Sequence, residues 1–153
     1  MSWIARLASL AVFALLAAGH GGASTQELPG VANSAQAQID YMLKCQGCHQ
    51  PGGTGNNWSS PPLNNAVARF LAVPGGREFL GRVPGVATTD LDDHRLAELL
   101  NWTLYRFDAG HVPAGFKPYS AAEVGRLRKA PLRLDLAETR ARLIAAIGDP
   151  SMQ

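Results

Sequence analysis

The amino-acid sequence predicts an all-α fold for this chain of 153 residues. Apolar residues recur at three- and four-residue spacings in several segments, a pattern typical of helices with one buried face. Residues that cap helices precede these segments, and clusters of Gly and Pro separate them. We find no strand signal of comparable strength and no internal repeat. Because the length is that of one domain, we expect a single helical unit.

The composition indicates a folded chain and excludes some classes of partner. Hydrophobic residues make up 46% of the sequence and charged residues 17%, so wholesale disorder is not expected. The formal net charge is +2, and no basic patch with interleaved aromatic residues occurs. The sequence therefore predicts neither nucleic acid nor an anionic membrane surface as a partner.

The first 23 residues predict a secretory signal peptide. Arg6 supplies a positive charge, residues 7–18 are apolar, and small residues follow, with cleavage expected after Ala23 or at a neighbouring position. The apolar run of about 12 residues is shorter than the roughly 20 that span a bilayer. We therefore expect removal of residues 1–23, export to the bacterial periplasm and no stable membrane insertion of the mature chain.

The first helix of the mature chain leads into the two cysteines of the sequence. Asn33 or Ser34 is expected to cap it. Ile39, Met42 and Leu43 are spaced to form its buried face. Cys45 would lie directly at the end of this helix.

A loop and a short helix are expected after the cysteines. Residues 50–65 are rich in Gly, Asn, Ser and Pro, which predicts a loop from its turn chemistry. A short helix over residues 66–73 would follow, capped by Asn64 or Asn65.

Two further helices are expected in the middle of the chain. The first covers residues 77–82 and is stopped by Pro84 and Gly85. The second has the strongest helical pattern of the chain and is capped by Asp90 or Asp92. Its apolar stripe consists of Leu96, Leu99, Leu100 and Leu104.

The C-terminal part predicts two more amphipathic helices. Ser120 and Glu123 have the spacing of a capping box for the first of them. The second covers residues 135–147. Its apolar positions are Leu136, Leu143, Ile144 and Ile147. We expect these helices to brace the domain, and docking of a partner remains the alternative.

The segment CQGCH at residues 45–49 has the pattern of a covalent haem attachment site. Two cysteines three positions apart on one helical turn can both reach the vinyl groups at one edge of a porphyrin and form thioethers. His49 would then bind the iron as the proximal ligand. The sequence thus predicts one covalent haem c held by Cys45, Cys48 and His49, with no catalytic residue.

Three other interpretations of the motif are less consistent with the sequence. A thioredoxin-like redox pair normally follows a strand, and no strand pattern precedes Cys45. A zinc site needs further ligands, and only His94 and His111 remain in the mature chain. Chance occurrence is disfavoured because the motif coincides with an export signal and helical flanks.

Residues 33–107 resemble the class I c-type cytochromes, small all-α proteins in which a helix ends in C-x-x-C-H and a later helix packs across it. The segment Pro61-Pro62-Leu63 resembles the proline-containing loop of that family. The resemblance implies that Pro62 or its neighbour offers a backbone carbonyl to the second imidazole nitrogen of His49, which would fix the orientation of the ring.

The resemblance also implies the organisation of the mature chain. We expect a cytochrome c domain over residues 24–153, a helical domain around one covalent haem. Its haem core would cover residues 33–107, and residues 108–153 would form a C-terminal helical extension outside the family pattern.

The sixth iron ligand departs from the family pattern. There a methionine before the later helix usually binds the iron, and Val83 stands at that place here. Met42 lies within the attachment helix and Met152 next to a C-terminus expected to fray, so neither is a good ligand. His94 is expected on a solvated helix face and His111 in a loop, where a surface role is favoured. The alternatives are that an asparagine, a lysine or a water is the sixth ligand, or that the iron has only five ligands.

Two functions are compatible with these features. The first is a periplasmic carrier of single electrons, an electron-transfer protein and not a catalyst, which could serve as the electron acceptor of a dehydrogenase. Its partner would be a dehydrogenase, an oxidase or another cytochrome. The second is a haem protein whose open or weakly ligated sixth position binds NO, CO, O2 or peroxide.

Overall fold

The architecture was obtained from a computed structural model, which describes residues 27–56 and 59–152. This part of the chain is helical and contains no strand, which confirms the predicted all-α fold. The predicted signal peptide at residues 1–23 lies outside the described residues. The α-helices are α1 Ser34–Lys44, α2 Gln46–His49, α3 Gly76–Arg82, α4 Pro84–Ala87, α5 Asp93–Asp108, α6 Ala121–Leu127 and α7 Leu136–Ile147, and 3-10 helices cover Ala68–Ala72, Ala109–His111 and Pro150–Met152.

Helix α1 begins as predicted but buries a different face. The side chain of Asn33 accepts a hydrogen bond from the backbone N–H of Gln36 at 3.0 Å, so Asn33 is the cap. The predicted buried face was wrong. Its three apolar side chains, Ile39, Met42 and Leu43, are 48%, 52% and 70% exposed.

The face of α1 that packs on α5 contains Ala37, Asp40 and Tyr41. It lies two positions from the predicted one, which is about 200° around a helix. The Tyr41 ring packs against Trp102 and Phe107, with ring centroids 5.6 and 5.0 Å apart. An aromatic cluster with a geometric fit to α5 thus determines which face of α1 is buried.

A charged residue lies within this helix contact. Asp40 is only 1% exposed, and its carboxylate accepts hydrogen bonds from the guanidinium of Arg95 and from the amide of Gln36. The bonds compensate the burial of the carboxylate and tie α1 to α5.

Helix α5 is the central element and follows the prediction. The side chain of Asp92 caps it by accepting a hydrogen bond from the N–H of Arg95 at 2.9 Å. Its predicted apolar stripe is buried, namely Leu96, Leu99, Leu100 and Leu104.

The segment between the motif and α5 differs from prediction in two places. The expected helix over residues 66–73 is a 3-10 helix, Ala68–Ala72, without a side-chain cap. Asn64 donates to the carbonyl of Gly52 at 2.6 Å instead of capping it. Pro84 does not simply end α3, because it takes the first position of α4, where a missing N–H costs nothing.

The extension packs on the rest of the molecule, as the bracing interpretation expected. Ser120 caps α6 by accepting from the N–H of Glu123 at 3.3 Å, but the Glu123 carboxylate binds Arg77 of α3 instead of closing the capping box. The expectation of a frayed end at Met152 was wrong, since this side chain is buried. The core residues contributed beyond α5 are Tyr119, Val124, Leu132, Leu143, Ile144 and Met152.

None of the helices that the structure describes is long and apolar enough to cross a membrane.

Candidate haem-attachment site

The two cysteines lie three positions apart, where α1 ends and α2 begins. Helix α1 ends at Lys44, and the backbone N–H of Cys45 still donates to the carbonyl of Tyr41 at 2.9 Å. Helix α2 follows directly, with the N–H of His49 donating to the carbonyl of Cys45 at 2.9 Å. Cys45, Cys48 and His49 are therefore held by one short stretch of hydrogen-bonded backbone.

Both cysteines are free thiols, in different surroundings. Cys45 is partly buried against the core and Cys48 is exposed. Burial, with smaller contributions from the nearby Asp40 and Cys48, raises the pKa of the Cys45 thiol to about 11. Reactive cysteines of redox pairs have lowered pKa values instead. Cys45 thus lacks the environment of a thioredoxin-like nucleophile.

The His49 ring is oriented by a backbone carbonyl. Its Nδ1 lies 3.1 Å from the carbonyl oxygen of Pro61 and donates to it in the matching tautomer. The other ring nitrogen, Nε2, is then the one available to a metal. Burial lowers the pKa of His49, which favours the neutral, metal-binding imidazole. The resemblance implied Pro62 or its neighbour as the acceptor, and the structure shows the neighbour, Pro61.

A tight loop places Pro61 beside the motif. The N–H of Gly55 donates to the carbonyl of His49 at 3.0 Å, and the N–H of Asn56 donates to the carbonyl of Ser60 at 2.8 Å. Gly55 has φ +68°, and a Cβ atom there would lie 2.3 Å from the Ser60 carbonyl oxygen. Only glycine fits this position, so the glycine-rich composition of the loop has a specific structural reason.

Tyr41 links the core to the end of the motif. Its hydroxyl donates to the carbonyl of Gln50 at 2.6 Å, and burial raises the pKa of Tyr41 to about 12. Gln50 has φ +66°, a conformation that a non-glycine residue seldom adopts. Sequence reasoning did not identify Tyr41 as a residue of the site. Its position four residues before Cys45, on the same helix face, was the available signal.

Three residues considered for the sixth iron position, Val83, His94 and His111, lie in different parts of the described fold. Val83 is partly buried against the core at the junction of α3 and α4. His94 is exposed and lies 3.8 Å from Glu98, as the solvated interpretation expected. The Nδ1 of His111 contacts the buried carboxylate of Asp108.

Comparison with known proteins gives two relatives, both called "Cytochrome c-552" and both from Thermus thermophilus. One is 32% identical over 123 residues that cover 69% of this chain and 83% of the relative. The other is 35% identical over 107 residues that cover 58% of this chain and 82% of the relative. The chain belongs to the c-type cytochromes. No protein-family model matches it.

Membership of the family establishes the cofactor and the general role. Cytochromes c carry covalently bound haem c, transfer electrons and interact with redox partners. This agrees with the predicted cofactor. The names of the relatives do not favour the ligand-binding alternative.

The motif residues fit such a cofactor. The structure brings together two free thiols and an imidazole whose Nδ1 is occupied by Pro61 and whose Nε2 remains for a metal. Two thiols and one imidazole are the groups that covalent haem attachment requires.

Proposed function

We propose that this cytochrome is an exported carrier of single electrons in which Cys45 and Cys48 hold one haem c through thioethers and His49 is the proximal iron ligand. The observation that carries the proposal is the hydrogen bond between His49 Nδ1 and the carbonyl of Pro61, on the same turn as both thiols. A carbonyl acceptor on Nδ1 fixes the tautomer with Nε2 as the metal-binding atom.

The bound haem supplies a reversible one-electron change at its iron. The chain's own residues hold and orient it. Cys45 is anchored against the core, and Cys48, three residues later, faces solvent. Pro61 keeps the His49 ring from rotating, and Tyr41 fixes the backbone just beyond it through Gln50. No catalytic residue is assigned, since electron transfer needs neither an acid nor a base.

The proposal places the mature chain in the bacterial periplasm, with a dehydrogenase as its electron donor. The charged residue, apolar run and small residues of the segment 1–23 support export. Another cytochrome or an oxidase would then receive the electron. Exported proteins often contain disulfides. Here both cysteines of the sequence lie in the motif, and the proposed thioethers would leave no thiol for a disulfide.

The test is mass spectrometry of the protein matured in cells with an export-linked haem attachment system. The peptide that contains residues 45–49 is expected to carry the mass of one haem. The variants C45A and C48A should each keep one thioether, and H49A should have an altered visible spectrum because the iron loses its proposed proximal ligand. Q46A, at a variable motif position, serves as the matched control and should behave as the native protein. A native peptide without haem would refute the proposal.

A second measurement tests the direction of electron flow. The oxidised protein is mixed with a periplasmic dehydrogenase and its substrate, and reduction is followed optically. Rapid reduction with unchanged iron coordination is expected. The reaction is then repeated with carbon monoxide in the solution. Binding of carbon monoxide to the iron as fast as the iron is reduced would contradict a function limited to electron transfer.

A further inference from the structure

We propose that the exposed face of α1 is the docking surface for a redox protein whose own surface is apolar and uncharged. This inference rests on the proposed electron-carrier function. The α1 patch consists of Ile39, Met42 and Leu43, which are 48%, 52% and 70% exposed. Residues three and four positions apart are neighbours on a helix surface, so these side chains form one continuous apolar area.

The patch does not contribute to the packing of the domain. Helix α1 uses the opposite face, with Ala37 and Tyr41, to contact α5. Apolar side chains that lie together on a surface without a packing role mark an interaction site, whereas a single exposed one would need no explanation.

The patch is continuous with the proposed haem attachment site. Gly47 lies one helical turn after Leu43, is exposed, and has no atom within 4 Å of the position that a Cβ would take. The exposed Cys48 comes next. A protein seated on the patch would therefore extend over Gly47 to the thioether at Cys48, the solvent-facing edge of the attachment site.

The charges of α1 identify the chemistry of the partner. Asp40 is buried, and Lys44 pairs with Asp90 at 2.8 Å. The exposed positions one turn before the patch are Ala35 and Gln38, and neither carries a charge. A partner's carboxylate or ammonium group placed on this face would lose water without gaining an opposite charge. The partner surface that fits is thus apolar at its centre and uncharged around it.

The lack of unpaired charge on the α1 patch predicts how the rate of association responds to salt. Charged surfaces steer partners together, and added salt screens that attraction. Since the docking face carries no unpaired charge of its own, the rate of electron exchange is expected to change less than about twofold between low and high salt.

The experiment measures second-order electron exchange of the haem-loaded protein by stopped flow. Two blue-copper proteins serve as probes, one whose copper edge is surrounded by uncharged apolar side chains and one whose copper edge is surrounded by carboxylates. The variants are M42Q and L43Q. L134Q is the matched control, because Leu134 is fully exposed but lies on the C-terminal extension.

With the uncharged probe, L43Q and M42Q are expected to lower the rate at least about tenfold, since burying such a side chain is worth a factor of that order. L134Q should keep the native rate. The carboxylate-ringed probe should react more slowly with the native protein. Equal rates for L43Q and L134Q, a strong salt dependence with the uncharged probe, or a preference for the carboxylate-ringed probe would overturn the inference.

Two further outcomes are distinguished in the same experiment. If the native protein exchanges electrons with neither probe while its haem is intact, the proposed carrier function fails rather than the docking surface. If sedimentation shows a native dimer that L43Q dissociates, the patch belongs to a second copy of this chain, and the redox-partner proposal is wrong.

Discussion

Single residues hold the C-terminal helices to α3 through a few strong contacts. The guanidinium of Arg77 donates to both carboxylate oxygens of Glu123, at 2.6 and 2.7 Å, and lies 4.2 Å from the centroid of the Tyr119 ring. The Tyr119 hydroxyl donates to the carbonyl of Arg77 at 2.8 Å. One arginine therefore joins α3 to the start of α6 by an ion pair, a stacked ring and a hydrogen bond.

This ion pair predicts a pH dependence of stability. The hydrogen bonds from Arg77 hold the pKa of Glu123 below its ordinary value of 4.5. Because the folded-state pKa is the lower one, the stabilisation is complete above pH 4.5 and is lost as the pH falls below it. At pH 7, E123Q is expected to cost about 1 kcal/mol, given the partial exposure of the pair. The difference from the native protein should shrink in acid.

Urea unfolding of the haem-loaded protein at pH 7 and at pH 3.5 to 4 checks this expectation. E138Q is the control, because Glu138 is exposed on α7. A loss for E123Q that stays constant down to the lower pH would show that the carboxylate charge is not what stabilises the contact.

At the scale of elements, the extension stabilises the connection that precedes α5. Arg128, just after α6, donates to the carbonyls of Leu91 at 2.7 Å and Ala87 at 3.3 Å, and also to that of Thr89. Its guanidinium pairs with Asp93 at 3.0 Å. The path of the chain from α4 into α5 is therefore determined in large part by a residue far along the sequence.

Helix α7 is expected to contribute substantially to the stability of the whole domain. Leu143 is only 1% exposed and belongs to the same core cluster as Phe70 and Phe79. L143A would leave a cavity and cost about 2 to 5 kcal/mol. L134A, at a fully exposed position, should change the free energy of unfolding by no more than about 0.5 kcal/mol. Guanidinium unfolding measures both, and equal effects would mean that α7 does not share the core.

At the scale of the whole molecule, the methionines predict an unusual iron environment. The sequence contains three, namely Met1 within the predicted signal peptide, Met42 and Met152. Met42 lies half exposed on the outer face of α1, and Met152 is buried in the core with α7. The resemblance predicts that Val83 takes the position that the family usually gives to the methionine ligand.

The ferric protein is therefore expected to lack the weak far-red absorption band of methionine-ligated haem c, and M42L and M152L should leave its visible spectrum unchanged. Methionine raises the haem potential, so a potential below that of methionine-ligated cytochromes is also expected. Optical spectra and redox titration of the native protein and both variants check this. A far-red band that disappears in M42L or M152L would identify a methionine ligand.

The local features of this protein could be read from its sequence. The caps at Asn33 and Asp92, the apolar stripe of α5 and the motif at residues 45–49 involve neighbours along the chain, and they appear in the structure where the pattern placed them. The short helices were predicted less well. In place of the expected cap, Asn64 donates to the carbonyl of Gly52, and the N–H of Ala68 donates to the carboxylate of Asp108.

By itself, the sequence determined the fold class and predicted the haem-attachment motif, because two cysteines and a histidine on one helical turn need no distant residue to be recognised. Only the tertiary structure decided which face of α1 is buried. Ile39, Met42 and Leu43 have the right spacing for a core, but Tyr41 fits the aromatic surface of α5 and Arg95 compensates the buried charge of Asp40. Since spacing records only that a helix has an apolar face, the fit to a distant helix determined that this face remains exposed.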